Sequence, residues 1–347
     1  KIQFTVENET TIRYGMGAIK GVGESALAGI VSEREQGEAF TSLFDFCRRV
    51  ELKKINRRVM ESLVKAGAFD SLGGHRASLE SSLSRAMQIA EQHRRDAASG
   101  QNDLFGLAEP SHADQPQTDL LEDVPEWQEE QLLRAEKETL GLYLSGHPID
   151  RYAAELAQFI PKKISELDAP ESKGYQRNEI PLLTAGLIVA IRTMKSKNGS
   201  RMAFITLDDQ TARLEVRVFG DVYEQYQSVI QPDKLVVIQG KIGQDNFSGG
   251  LAGTAESVYD LQKARELFGK SVQLTVKQQG EDAQWISQMQ AVMSPFCGGV
   301  IPVELKYVNQ DAEVLIRLGH DWQITPSDTL LKELADLPIS ETVTVRY

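Results

Sequence analysis

Residues 201–230, RMAFITLDDQTARLEVRVFGDVYEQYQSVI, decide the fold. MAFITL and ARLEVRVF are rich in Ile, Leu, Val and Phe and flank the short turn DDQ, the pattern of two strands joined tightly. The following DVYEQYQSVI changes to helical spacing. Upstream, LLTAGLIVAIRTM (182–194) and the turn KNGS (197–200) supply a further strand. Downstream, KLVVIQGKI (234–242) and LAGTAESVYDL (251–261) flank the turn NFSGG (246–250). Three strands, a helix and two more strands form the order of an OB-fold β-barrel, expected over residues 176–262.

The expected binding face of this barrel carries Arg192, Lys195, Lys197, Arg201, Arg213, Arg217 and Lys241, interleaved with Phe204 and Phe219. Such faces hold single-stranded DNA by stacking bases on aromatics and attracting phosphates. Alternation alone does not say which face points inward, so both phenylalanines also fit a core, and the basic loop 195–201 is the firmer part of the site. Asp208 and Asp209 could suggest a paired metal site, but they occupy a strand-to-strand turn where Asp is favoured.

Nearer the start, IRYGMGAIKGVGESALAGIVSERE (12–35) places four glycines just before helical spacing at Leu27, Ile30 and Val31. A Gly-x-Gly turn at a helix N-terminus can present backbone N–H groups to a phosphate, with Lys20 alongside Gly21 and Gly23; an ordinary glycine turn fits equally well. LKKINRRVMESLVKAGAFDSLGGHRASLESSLSRAM (52–87) then puts Ile55, Val59, Leu63 and Ala66 on one helical stripe, with Lys53, Lys54, Arg57 and Arg58 at its start. After a glycine turn, His75 and Arg76 open another helix. Two such units predict a tandem helix-hairpin-helix domain over 15–95 that follows duplex phosphates through Lys20, Gly21, Gly23, Lys53, Lys54, Arg57, Arg58 and Arg76. The alternative is a small helical domain with a solvated basic face.

The net charge of −12 is unevenly spread. Residues 13–95 hold fourteen Lys and Arg against ten Asp and Glu, a local +4 against −16 elsewhere. Screening confines fields to about 8–10 Å at physiological salt, so local charge matters more than the total. Neither a long apolar run nor a signal-like leader is visible, which predicts a cytoplasmic protein with no membrane partner. Cys47 and Cys297 lack a C-x-x-C partner, and the five histidines, 75, 93, 112, 147 and 320, are scattered. Neither set suggests a metal site, and no cofactor is expected in this chain. His147 precedes Pro148 in a structural turn.

RRDAASGQNDLFGLAEPSHADQPQTDLLEDVPEWQEE (94–130) lacks a sustained period and reads as an exposed linker. It contains Gln101, Asp103, Leu104 and Phe105, an adjacent apolar pair with polar neighbours. Such a peptide can dock two side chains into a preformed pocket. A helical connector follows over 131–175. From 270 onward the order strand, helix, two strands, helix, strand suggests a small split βαβ domain of βαββαβ order, with an interaction role. The whole is expected to be a multidomain α+β chain.

These parts, in this order, resemble the C-terminal half of the bacterial replicative DNA polymerase III alpha subunits. YGMGAIKGVGE, LFDFCRRV, NRRVMESLVKAGAFDSLG, ETLGLYLSGHPI, LDDQTARLEVRVF, FSGGL and WQITPSD carry the resemblance. It implies that residues 1–14 end a preceding fingers region and that the catalytic palm, with its Mg, lies upstream. It also implies that Gln101, Asp103, Leu104 and Phe105 bind the beta sliding clamp, and that 263–347 meets the tau subunit of the clamp loader. By that resemblance the stretch is a non-catalytic part of a DNA-directed DNA polymerase. The competing expectations are a stand-alone repair enzyme and a pure protein-interaction scaffold.

Overall fold

Helical spacing and capping side chains shape the first part of the chain. The computed structural model describes residues 1–98, 120–168, 179–195, 199, 201–245, 250–277, 284–308 and 313–347. They fall into two units, Lys1–Pro148 and Ile149–Tyr347. In the first, an antiparallel hairpin of β1 (Thr5–Asn8) and β2 (Thr11–Arg13) precedes α1 (Glu24–Gln36), α2 (Leu43–Arg49), α3 (Arg57–Lys65), α4 (Arg76–Ala98) and α5 (Glu129–Leu140). The Ser42 hydroxyl accepts from the Asp45 amide at 3.0 Å and the Asn56 side chain from Val59 at 3.1 Å. Two helices therefore begin where the sequence supplies a capping oxygen. The expected stripe of Ile55, Val59, Leu63 and Ala66 is buried, in one core with Leu27, Ile30, Phe44 and Met60.

Two expectations for this unit need correction. The first glycine turn follows only a single 3-10 turn, Met16–Ala18, instead of a full helix. The amides of Met16 and Gly17 donate to the carbonyls of Lys1 and Ile2, which draws this segment onto the chain start and away from helical pairing. The second concerns the linker, because α4 runs to Ala98 and residues 120–128 lie packed on the unit. Leu121 and Trp127 pack on the helical core, while the Glu126 carboxylate accepts from the Arg76 and Ala77 amides at 3.3 Å each. Those amides open α4 and have no intrahelical partner, so a carboxylate there satisfies them and complements the helix dipole.

Arg76, expected on duplex phosphate, is buried. Its guanidinium donates to Asp70 at 2.8 and 3.0 Å and to Glu136 at 3.0 Å. The other Glu136 oxygen accepts from the amides of Leu144 and Ser145 at 2.7 and 3.0 Å. Burial works against the Arg76 charge, but the bonds and charges of Asp70 and Glu136 outweigh it and raise the pKa above the ordinary arginine value. The same guanidinium donates to the Lys65 carbonyl at 3.3 Å, so the side chain ties α3, α4 and α5 together and is withdrawn from the surface.

The second unit begins with a short helix, α6 (Ala153–Leu156), and continues as the barrel of β3 (Ile180–Lys195), β4 (Arg201–Asp208), β5 (Arg213–Val218), β6 (Leu235–Gln244) and β7 (Leu251–Tyr259). Helix α7 (Gly220–Tyr226) lies between β5 and β6, as expected. The barrel is closed in the order β3-β4-β5-β7-β6. Ala203, Ile205, Leu207, Leu214, Val216, Val218, Val236 and Ile238 fill it. Gly240 permits closure at β7: a Cβ there would stand 2.1 Å from the Thr254 carbonyl oxygen.

Helix α8 (Leu261–Phe268) leads into β8 (Ser271–Lys277), α9 (Gln284–Met293), β9 (Cys297–Ile301), β10 (Val303–Val308), β11 (Glu313–Arg317), α10 (Asp328–Ala335) and β12 (Ser340–Arg346). The βαββαβ order stands, with Pro302 dividing the expected single strand into β9 and β10. The split arrangement does not: the sheet order is β11-β10-β8-β12, and β10 pairs directly with β8 in parallel. That register sets Val272 beside Val303 and Leu274 beside Leu305, two apolar pairs that an inserted strand would separate. Arg265 of α8 is buried and donates bidentately to Glu155 at 2.7 and 2.9 Å and to Asp328 at 2.6 Å. It thus joins α6, α8 and the start of α10.

Replacing Glu136 by Ala should destabilise the first unit by about 3–5 kcal/mol, because the Arg76 charge stays buried with one partner removed. Urea unfolding followed by far-UV circular dichroism measures this; a change under about 1 kcal/mol would show that the pair is structurally idle.

Candidate nucleic-acid interface

Strand register aligns one outward row across the barrel. Arg192 pairs with Phe204 across β3 and β4, Phe204 with Arg217 across β4 and β5, and Arg217 with Thr254 across β5 and β7. Lys241 on β6 faces Thr254 from the next strand. Phe204 is half-buried on the outer surface, between the inward Ala203 and Ile205, and the Arg192 guanidinium sits 4.8 Å from its ring centre. Phe219, 45% exposed, follows β5 at the start of α7. Both phenylalanines therefore lie outside the barrel core, where a base can reach a ring face.

The basic residues divide by their partners. Arg213 donates to Asp208 at 2.9 Å, Lys241 pairs with Glu256 at 2.9 Å, and Arg217 is held by Asp245. Among the described residues, no carboxylate holds Arg192, Lys195 or Arg201. Lys195 and Arg201 pair opposite each other at the β3–β4 end, and both are exposed. Lys197 lies outside the described residues. The positive charge not taken up by carboxylates thus lies on Arg192 within the row and on Lys195 and Arg201 at the β3–β4 strand ends, three positions away and so on the alternate side of the pleat. Asp245, beside the β6–β7 turn, is a member of the site that the sequence pattern does not reveal. Its position next to NFSGG marks it as a turn residue, and only the fold brings it to Arg217.

In the helical unit, Gly21 (φ +85°) turns the chain into α1, which Gly23 opens with no side-chain cap. The Ala26 amide donates to the Gly23 carbonyl at 3.1 Å, and no side chain caps the first turn of α1. A Cβ on Gly21 would approach the Ser62 hydroxyl to 3.2 Å, so the turn lies against α3. Ser62 stands one helical turn beyond Arg58 and donates to its carbonyl at 3.0 Å. Lys20 is exposed, and its amide donates to the Thr139 carbonyl at 2.8 Å. Lys53, Lys54, Arg57 and Arg58 are all exposed; Lys54 pairs with Glu51 at 2.6 Å and Arg57 with Glu61 at 2.7 Å. The fold therefore groups Gly21, Gly23 and Arg58, whereas Arg76 belongs to the interior. Gln101, Asp103, Leu104 and Phe105 lie outside the described residues.

The remaining chemical candidates are structural. Asp209 accepts from the Thr211 amide and hydroxyl at 2.9 and 2.7 Å, from Ala212 at 3.0 Å and from the Ile164 amide at 2.7 Å. His147 is buried and packs edge-on against Tyr143. Burial pushes the Cys47 thiol up to about 12, which keeps it protonated and unreactive.

The comparisons follow the same division of the chain. Residues 1–79 match the family described as "Helix-hairpin-helix motif", 183–277 "OB-fold nucleic acid binding domain", and 288–337 "DNA polymerase III subunit alpha, C-terminal domain". DNA polymerase III subunit alpha of Vibrio cholerae is 41% identical over 96% of this chain, and that of Escherichia coli K12 is 39% identical over 99%. Over nearly its whole length, this chain matches part of DNA polymerase III subunit alpha. It spans 28% of the Vibrio relative and 29% of the Escherichia one. The helix-hairpin-helix and OB regions of the match are nucleic-acid-binding domains, and the described helices include none long and apolar enough to cross a membrane.

Burial opposes ionisation of Asp209, but the bonds from Ile164, Thr211 and Ala212 prevail and hold its carboxyl below the ordinary range. Its stabilising effect is therefore fully present above the unfolded value of about 3.9 and is lost as pH falls through the folded value. Asp209→Ala should cost about 1–3 kcal/mol at pH 7, and the difference from the parent protein should shrink towards pH 3. Urea titrations at both pH values test this; a pH-independent gap would reject the ionic part of the argument.

Proposed function

We propose that this stretch is the DNA-gripping and tethering part of a cytoplasmic replicative polymerase alpha subunit, with nucleotidyl transfer and its Mg belonging to a palm elsewhere in the full subunit. The observation that carries the reading is the outward Arg192–Phe204 pair beside Lys195 and Arg201, on an OB barrel whose chain matches DNA polymerase III subunit alpha. This face contacts single-stranded template. The glycine turn at Gly21 and Gly23, with Lys20, Lys53, Lys54, Arg57 and Arg58, follows the phosphates of the emerging duplex. Backbone contacts of this kind hold position without reading sequence.

Gln101, Asp103, Leu104 and Phe105 dock on the beta sliding clamp. The flanks of this segment support the reading: α4 includes residues up to Ala98, and the Leu120 carbonyl accepts from Arg85 of the same helix at 3.4 Å. Both ends of the peptide's segment are thereby anchored to one helical unit. A clamp encircling DNA turns each release into intramolecular rebinding, at an effective concentration in the ~mM range. Processivity then requires no strong individual contact. The C-terminal domain links the polymerase to the tau subunit of the clamp loader.

Leu104→Ala together with Phe105→Ala should abolish clamp binding in surface plasmon resonance and leave duplex binding intact; unchanged clamp affinity would reject the docking assignment. Arg57→Glu with Arg58→Glu should weaken duplex binding across all sequences and flatten the slope of log K against log salt by about 0.9 for each phosphate no longer neutralised. Fluorescence anisotropy over a salt series reads both quantities, and an unchanged slope would remove these arginines from the duplex face.

A further inference from the structure

We infer that Asp245 is a built-in competitor for the DNA phosphate that Arg217 would otherwise bind, so that the barrel's own charges limit how tightly it holds a single strand. The inference rests on reading this face as the single-strand site. Arg217 occupies the middle of the outward row, next to Phe204 on one side and Thr254 on the other. A strand whose base stacks on Phe204 places its backbone within reach of that guanidinium. The guanidinium is already engaged by the Asp245 carboxylate, which reaches it from the end of β6. The two side chains are only 24% and 11% exposed, so water screens this pair less than the neighbouring Arg213–Asp208 pair, whose arginine is 70% exposed. A carboxylate offers the same planar pair of oxygen acceptors that a phosphate offers Arg.

Incoming phosphate must displace that carboxylate and leave it partly buried beside a second negative charge. Binding therefore draws on the β3–β4 side of the barrel, where Arg192 in the row and Lys195 and Arg201 at the strand ends pair with no carboxylate among the described residues. Only part of the basic face contributes to affinity, and the strand is polarised towards the β3–β4 end. A moving polymerase benefits from such a contact, because template must leave the face at every nucleotide step.

The test uses the full 347-residue chain and a fluorescent oligo-dT, with anisotropy measured from low to physiological salt. Asp245→Asn keeps the shape and removes the charge; it should tighten binding by roughly fivefold and steepen the salt slope by about 0.7, the increment for one further single-strand phosphate. Asp245→Ser should do the same, which guards against a folding defect peculiar to one variant. Arg217→Gln should weaken binding by a much larger factor in the Asp245→Asn background than in the parent protein, erasing the whole gain there. If both neutral variants bind like the parent, or if the Arg217→Gln effect is the same in both backgrounds, the competitor role is overturned. Phe204→Ala should weaken binding at least ~5-fold by removing the stacking platform. An unaffected Phe204→Ala variant would instead overturn the single-strand face itself, a failure distinct from that of the Asp245 effect.

Discussion

The barrel closes through a single strand. The first half of Ile180–Lys195 pairs with β6 and the second half with β4, so one stretch of chain seals the cylinder on both sides. The next seam, between β6 and β7, depends on Gly240, where a side chain would collide with the Thr254 carbonyl. Closure sets the register, and because strand side chains alternate, the register sets every outward residue. A slip of one position on β4 would send Phe204 inward and Ala203 and Ile205 outward. The candidate nucleic-acid face is therefore a consequence of how the core is filled.

Charge on that face is governed by pairing more than by composition. A chain of net charge −12 carries a local cationic surface because its carboxylates fall unevenly, and fields in salt reach only about one Debye length. Within the barrel, Asp208, Asp245 and Glu256 each neutralise a basic neighbour, which leaves Arg192, Lys195 and Arg201 as the stronger attraction. Counting Lys and Arg along the sequence overstates the face, since a cation already bonded to a carboxylate releases fewer counterions on binding.

Each of the two units also contains a buried arginine: Arg76 with Asp70 and Glu136, and Arg265 with Glu155 and Asp328. Desolvating a guanidinium is costly, so these sites hold only because two carboxylates meet each arginine with good geometry. Asp70 lies six residues from Arg76, but Glu136, Glu155 and Asp328 come from distant parts of the chain. Arg76 follows His75 at the opening of a helix and, in one dimension, has the same appearance as the exposed Arg57 and Arg58. No local pattern distinguishes an arginine that stays on the surface from one that grips the interior.

Much was legible from residue order. The strand–strand–strand–helix–strand–strand sequence of the barrel, the buried stripe at Ile55, Val59, Leu63 and Ala66, and the turn role of Asp209 all follow from short-range periodicity and turn chemistry. Those depend on neighbours within a few residues, and the chain states them directly. The adjacency of β8 and β10, the packing of Leu121 and Trp127, the withdrawal of Arg76 and the approach of Asp245 to Arg217 depend on pairings across tens of residues. Such contacts are selected by which apolar surfaces close together and which buried charges must be met, so only the tertiary structure decided them.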